Sequence, residues 1–354
     1  MTLPSVPEPV EGRMTDDAST SSATVFTVDE CWAGEWLGSS VVVADARGFR
    51  LATDADPAPS GHLAGTLLPG FRDAHVHLGL VDGSALPAAG IAAVDDFGWD
   101  LETARGWADA ADLPSVRYAG QLLTAPGGYP SGSGWAPTGA VATVTSVGDA
   151  AQAVDRQLDA GASFIKVALN SDAGPVFDDA TLHAIVGHAH ARGVIVAAHA
   201  QGAGQAARAF EAGVDRLAHA PWSEELGDDL LAAMARSQSW VSTLDIHGWG
   251  RYGRDFEVAQ RNVRRFVALG GTVLYGTDLG NGTLPLGINA RELRELADAG
   301  LGPDALVDSI ASMPAAAGFG PRASYIAEPR TPDTAAWLAT ASVLSIESLE
   351  GLLS

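Results

Sequence analysis

Lysine is almost missing from this chain: one residue, Lys166, stands against 20 arginines in 354 positions. Cysteine is as scarce, and Cys31 alone excludes any intrachain disulfide. Nothing in that usage calls for an oxidising compartment, so a cytoplasmic location is the expectation. Positive charge is short overall, with 21 Lys+Arg against 43 Asp+Glu and a net charge of -22. Such a chain repels phosphate backbones and anionic headgroups, which excludes nucleic acid and membrane surfaces as natural partners. No run of 18 apolar residues occurs, and the first residues lack the basic start and apolar stretch of a signal peptide. What remains is a small-molecule substrate, with a homo-oligomer left open.

The opening MTLPSVPEPVEGRMTDDASTSS is rich in Pro, Glu, Ser and Thr. It cannot bury enough surface to offset its ordering entropy, so residues 1–22 are expected to form a disordered tail, with Met14 as an alternative start. Residues 23–65 alternate β-branched and aromatic positions with Gly and polar turns, the pattern of a small β module. From 66 to 320 the texture changes to short apolar runs between Ala-rich amphipathic stretches, the pattern of repeated βα units. Eight strands can be counted: TLLPGFRDAHVHL, GIAAVDDFG, SVRYAGQLLT, FIKVAL, GVIVAAHA, RLAHA, SWVSTLDI and TVLYGTD. The predicted fold class is α/β, a (β/α)₈ TIM barrel. Residues 321–354, with ASYIAEP and AWLATASVLSIESL, are predicted to return as strands and complete a small β-sandwich-like module with the N-terminal segment.

Chemistry concentrates at the ends of these strands. His75 and His77 are two apart at the end of the first barrel strand and project from one face, so two imidazoles can share a cation. Barrel active sites lie at the C-terminal strand ends. His199, His219 and Asp278 end three later strands, and imidazole with carboxylate suits zinc and related divalent metals. Lys166 ends the fourth strand, where an ammonium beside a metal would be repelled unless it lost its charge. Desolvation and nearby cations yield a neutral amine, which can take up CO₂ to give a carbamate able to bridge two metals; arginine cannot. A structural ion pair with a barrel carboxylate is the alternative reading of Lys166. His188 and His190 form a second HxH, but on a helix they point about 200° apart and cannot chelate together. His183 and His62 read as surface or packing residues. His247 follows the seventh strand and is a candidate for substrate contact.

These residues resemble the amidohydrolase superfamily, in particular its imidazolonepropionase-like and prolidase-like branch. LLPGFRDAHVHLGL resembles the strand-one motif, GIAAVDDFG is similar to GxTTVRDxG, and LTAPGG to LTxxGGH. FIKVAL, VAAHAQG, AGVDRLAHA, GTD and DALVDSIASMPAAAGFG follow in the family's order. The resemblance implies that His75, His77 and Asp278 bind one metal and that His199 and His219 bind the second. It further implies that carboxylated Lys166 bridges them, with two divalent ions, zinc the first expectation. Asp73 is the candidate orienting carboxylate behind the histidines.

The implied activity is C–N hydrolysis of an amide, peptide-like or cyclic amide bond. Hydroxide generated between two metals would attack the carbonyl, Asp278 would carry the proton, and Tyr129 or His247 would donate to the oxyanion. Tyr129 stands where the motif has histidine, Gln201 where relatives often carry an aromatic residue or histidine, and AHAPW replaces EHG. Tyr129, Gln201 and His247 are therefore the candidate substrate contacts. A lactonase or phosphotriesterase on the same scaffold is the nearest rival, and a non-catalytic metal-binding barrel a more distant one.

Overall fold

The computed structural model of the chain describes residues 23–311 and 318–354. The tail expected at 1–22, and residues 312–317 of the DALVDSIASMPAAAGFG segment, lie outside the described residues.

Four N-terminal strands, β1 (Thr24–Cys31), β2 (Ser40–Asp45), β3 (Gly48–Leu51) and β4 (Gly61–Leu68), join two C-terminal strands, β15 (Ala323–Ile326) and β16 (Ser342–Leu344). They form a six-stranded sheet in the order β16-β15-β4-β1-β2-β3. This corrects the expected sandwich-like module: the two ends of the chain share one sheet. Phe26, Val28, Val42, Phe49, Leu63, Leu67 and Phe319 form its separate apolar core. AWLATASVLSIESL was expected as strand throughout. It breaks into the helix α9 (Thr334–Leu338), β16 and the short helix α10 (Ile346–Leu349). The Asp333 carboxylate caps α9 at Ala336 N, and a Ser345–Ser348 capping box starts α10.

Between these ends the chain is mixed α/β with parallel sheets. β5 (Arg72–Val76), β6 (Ala93–Asp96) and β7 (Ser115–Tyr118) pair in parallel. A seven-stranded sheet holds β8 (Leu122–Thr124), β9 (Val141–Thr143), β10 (Ile165–Asn170), β11 (Val196–Gln201), β12 (Arg216–Leu217), β13 (Ser239–Val241) and β14 (Thr272–Leu274), in the order β14-β13-β12-β11-β10-β8-β9. Two predicted strands are interrupted. TLLPGFRDAHVHL divides at Pro69-Gly70 into β4 and β5, since proline cannot donate to a ladder. SVRYAGQLLT divides at Gly120 (φ 72°) into β7 and β8, which belong to different sheets. Apart from Thr66–Leu68, which lie in β4 of the six-stranded sheet, the eight expected strands thus occupy two ladders rather than one continuous ring. The edges of those ladders approach: Ala74 N donates to Tyr275 O at 3.0 Å, Asp278 N to His75 O at 2.8 Å and His77 N to Leu279 O at 2.8 Å.

The helices α1 (Leu101–Ala108), α2 (Val147–Asp159), α3 (Asp179–Ala191), α4 (Gln205–Glu211), α5 (Asp228–Met234), α6 (Arg254–Ala268), α7 (Ala290–Asp298) and α8 (Pro303–Ile310) follow the strands. Their apolar faces and the strands form the main core. A smaller cluster gathers Ala74, Phe97, Ala119, Phe164, Ala197, Ala218 and Val241 from successive strands. Alanine at four of these positions leaves room for the two phenylalanine rings, so the strands pack closely beneath the residues that carry the chemistry.

One carboxylate ties several of these strands together. Asp95, fully buried, accepts from Arg72 on β5 at 2.6 Å, from Arg117 on β7 at 2.6 Å and from Arg216 on β12 at 3.3 Å. Although burial alone would raise its pKa, the three guanidiniums hold it below the usual carboxylate range.

Candidate metal centre

His75 is the last residue but one of β5 and His77 follows the strand, whose register against β6 shifts between Asp73 and Val76. After that shift Ala74 packs in the small cluster, while His75 and His77 line a cavity of about 450 Å³. Lys166, His199, His219, Asp278, Tyr129 and Gln201 line the same cavity. All six predicted metal ligands are buried.

The tightest grouping is His75, His77 and Asp278, whose donor atoms lie within 4.8 Å of one another. Asp278 Oδ1 is 3.2 Å from His75 Nε2 and 3.5 Å from His77 Nε2. The other ring nitrogens are engaged: His75 Nδ1 donates to Ala218 O at 2.7 Å and His77 Nδ1 to Gly98 O at 3.3 Å. Those bonds select the tautomer whose Nε2 carries a lone pair, and buried His75 Nε2 makes no hydrogen bond. With Asp278 ionised, two acceptor atoms face each other across 3.2 Å, the arrangement a cation resolves. Burial keeps the rings neutral, with His77 held down to about 4 and His75 lowered as well.

Asp278 itself adopts a left-handed backbone, φ 56°, a conformation that costs a residue with a Cβ of order 1 kcal/mol or more. Its N–H donates to His75 O, and its Oδ2 accepts from Asn281 Nδ2 at 2.9 Å. Burial raises its pKa to about 7 against the opposing pull of Asn281 and Lys166.

Lys166 points from β10 with Nζ 4.5 Å over the Phe97 ring, which also stacks on His75 at 4.2 Å. Burial lowers its pKa to about 7, only partly offset by Asp278. No ion pair holds its ammonium among the described residues, so the alternative reading as a structural salt bridge finds no support. His199, Gln201 and Ala197 share one face of β11, and Asn170 lies opposite Gln201 in the register. Gln201 Oε1 accepts from Asn170 Nδ2 at 2.8 Å and lies 3.2 Å from His199 Nε2. His219 Nδ1 lies 2.9 Å from the hydroxyl of Thr243, another left-handed residue at φ 42°. Burial also depresses His199, to about 3, and His219.

The sequence-predicted substrate contacts divide. Tyr129 stacks on His199 at 5.0 Å, and its hydroxyl is raised to about 12 by burial, then by Asp278, while a hydrogen bond from Trp135 opposes the shift. Gln201 lines the cavity. His247 sits against Trp222 at 5.0 Å, while its neighbour Ile246 lines the cavity instead. Asp73 supports the centre in an unexpected way. Its carboxylate accepts from the backbone of His75 at 3.1 Å and Thr277 at 2.9 Å, bracing the two ligand-bearing strand ends rather than an imidazole. The helical histidines behave as expected, His188 meeting Asp155 and His190 meeting Asp215.

Sequence reasoning missed four residues. Trp135 and Trp222 approach the histidines, at 5.0 Å from His77 and 5.4 Å from His219. Thr243 anchors His219, and Asp96 accepts from Leu78 N at 2.8 Å and Gly98 N at 3.0 Å, holding the loop after His77. The tryptophans lie in loops that no periodicity flags. Asp96 sat in the GIAAVDDFG motif, where its partners could not be read.

No protein-family model matches the chain, and no curated protein matches it. Solved structures do. A Xaa-Pro dipeptidase with methionine bound in its active site has a TM-score of 0.73 at 17% identity, covering 94% of this chain and 100% of that one. An ochratoxinase from A. niger has a TM-score of 0.73 at 19% identity, covering 91% and 94%. Phenylurea hydrolase B has a TM-score of 0.69 at 14% identity, covering 92% and 96%. At these identities the likeness shows the fold alone, one this chain shares with these hydrolases over nearly its whole length.

Proposed function

We propose that this chain is a metal-dependent amidohydrolase that cleaves a C–N bond at two divalent cations, zinc by donor chemistry. His75, His77 and Asp278 would hold one cation, His199 and His219 the other, and Lys166 would bridge them as its carbamate. The two parallel ladders read best as one closed (β/α)₈ barrel, because the β5 and β14 segments exchange backbone hydrogen bonds at the site. The observation that carries the proposal is His75 Nε2: buried, without a hydrogen bond, and 3.2 Å from a carboxylate oxygen. The likeness to a dipeptidase, an ochratoxinase and a phenylurea hydrolase supports the same bond class.

Bound cations would supply a nucleophile at neutral pH and polarise the scissile carbonyl. The chain's own groups do the rest. Asp278, held by Asn281 and lying beside both His75 and His77, is placed to take a proton at Oδ1 and deliver it to the departing nitrogen. Tyr129 remains protonated, and the Trp135 hydrogen bond leaves its O–H free to donate to developing negative charge on the carbonyl oxygen. Lys166, a buried amine of lowered basicity, is the form that would take up CO₂.

Elemental analysis of purified protein, with a panel of N-acyl amino acids, dipeptides, cyclic amides, anilides and lactones, tests this reading. The expected result is two metals per chain and hydrolysis of amide bonds. One metal per chain, or turnover of lactones alone, would overturn it. Asp278→Asn should lower kcat by about 10²–10⁴-fold.

A further inference from the structure

The cavity walls say what kind of molecule enters, beyond the bond that is cut. Of the cavity's residues only Lys166 and Asp278 carry ionisable charge besides the histidines, and both belong to the proposed metal set. Around them stand Leu80, Leu122, Tyr129, Trp135, Trp222 and Ile246. The neutral polar groups are Ser133, Gln201, Asn281 and the Tyr129 hydroxyl; Gln201 and Asn281 are already tied to Asn170 and Asp278, and the hydroxyl is the proposed donor to the carbonyl oxygen. No arginine lines the cavity among the described residues. His247, the remaining basic candidate, packs against Trp222 and does not line the cavity.

With its scissile carbonyl at the metal set, a substrate that also bears a free carboxylate, such as a dipeptide or an N-acyl amino acid, would have to bury that second group with no guanidinium or ammonium among the described residues to meet it. Burying an unpaired carboxylate is among the most unfavourable steps a binding site can demand. The chain's net charge of -22 adds long-range repulsion on approach. An aryl or alkyl group, by contrast, finds indole rings beside two of the histidines, since Trp135 lies 5.0 Å from His77 and Trp222 5.4 Å from His219. About 450 Å³ accommodates a compact molecule of drug-like size.

We infer that the substrate is an uncharged, largely apolar amide, urea or carbamate, with an aryl or alkyl group packed against Trp135, Tyr129 and Trp222, and that carboxylate-bearing peptides are rejected. This rests on the amidohydrolase reading for the bond that is cleaved, but the pocket's preference can be measured without turnover.

The test uses metal-loaded protein and two pairs of compounds matched in shape and differing in charge: N-acetyl-4-methylaniline against N-acetyl-4-aminobenzoate, and 4-methylbenzamide against 4-carboxybenzamide. Binding is read from quenching of tryptophan emission, and kcat/KM from release of the amine or acid. The neutral member of each pair is expected to bind, and to be hydrolysed, at least about 100-fold better. Equal or better binding of the carboxylates, or no binding by either neutral compound, would overturn the inference. Preferential binding of the neutral members without hydrolysis of any compound would instead refute C–N hydrolysis and leave the pocket assignment standing. Leu80→Arg, which adds a guanidinium at a rim position 37% exposed, should narrow the ratio about tenfold. An unchanged ratio in folded Leu80→Arg protein would count against the assignment.

Discussion

Lys166→Met should stabilise the metal-free protein while destroying its proposed function. The lysine is 2% exposed and has no ion-pair partner among the described residues, and burial lowers its pKa from 10.5 to about 7. A base whose folded pKa lies below its unfolded value destabilises the fold. That penalty is greatest at and below the folded pKa and vanishes as pH rises through the unfolded one. With 1.36 kcal/mol for each pKa unit, the penalty at pH 7 is about 4 kcal/mol, and at pH 9 about 2 kcal/mol. Methionine has similar length and no charge to desolvate, so Lys166→Met should recover most of this, less the lost attraction to Asp278. The assay is urea denaturation of chelator-treated protein in CO₂-free buffer at pH 7 and pH 9. The variant should be more stable at pH 7 by roughly 2–4 kcal/mol, and its advantage should shrink by about 2 kcal/mol at pH 9. A variant less stable than the parent at pH 7, or an advantage independent of pH, would refute the argument that burial of this amine is a cost retained for its chemistry.

Gly276→Ala would place a Cβ 2.2 Å from Val241 Cγ1 and 3.1 Å from His75 N, so it should cost about 1–3 kcal/mol in thermal unfolding and weaken metal retention as Asp278 shifts. Unchanged melting would mean the strand ends have slack the packing does not suggest. Asp95→Ala should cost about 3–5 kcal/mol in chemical denaturation, because Arg72 and Arg216 lose their shared carboxylate while buried. Arg117, whose side chain is 47% exposed, can turn to water and should contribute little of that loss. Tyr129→Phe should lower kcat about 10²-fold with metal content unchanged, and full activity would remove the hydroxyl from the mechanism.

The strand and helix texture of residues 66–311 was legible because βα units leave a local record: apolar runs bounded by Gly, and amphipathic stretches such as DAAQAVDRQLDAG. Interruptions were less legible. Pro69 and Gly120 each divide an apolar run that reads as continuous, and AWLATASVLSIESL has the residues of a strand until Asp333 and Ser345 cap helices within it. His75, His77, Lys166, His199, His219 and Asp278 could be picked out as candidate ligands because each stands at the end of an apolar run, where a polar residue needs a reason.

By itself, then, the sequence determined which side chains are available for chemistry and on which strand ends they stand, since strand periodicity and a single lysine are local facts. Only the tertiary structure decided what those side chains meet. It set Lys166 over Phe97 with no ion pair among the described residues, gave His219 its anchor in left-handed Thr243, and turned Asp73 to brace backbone rather than imidazole. It also walled the site with Trp135 and Trp222. These are contacts between residues up to 204 positions apart, as in the bond from Thr277 to Asp73, and no local pattern encodes them. They follow from how two parallel ladders bring their edges together, which is a property of the packed whole.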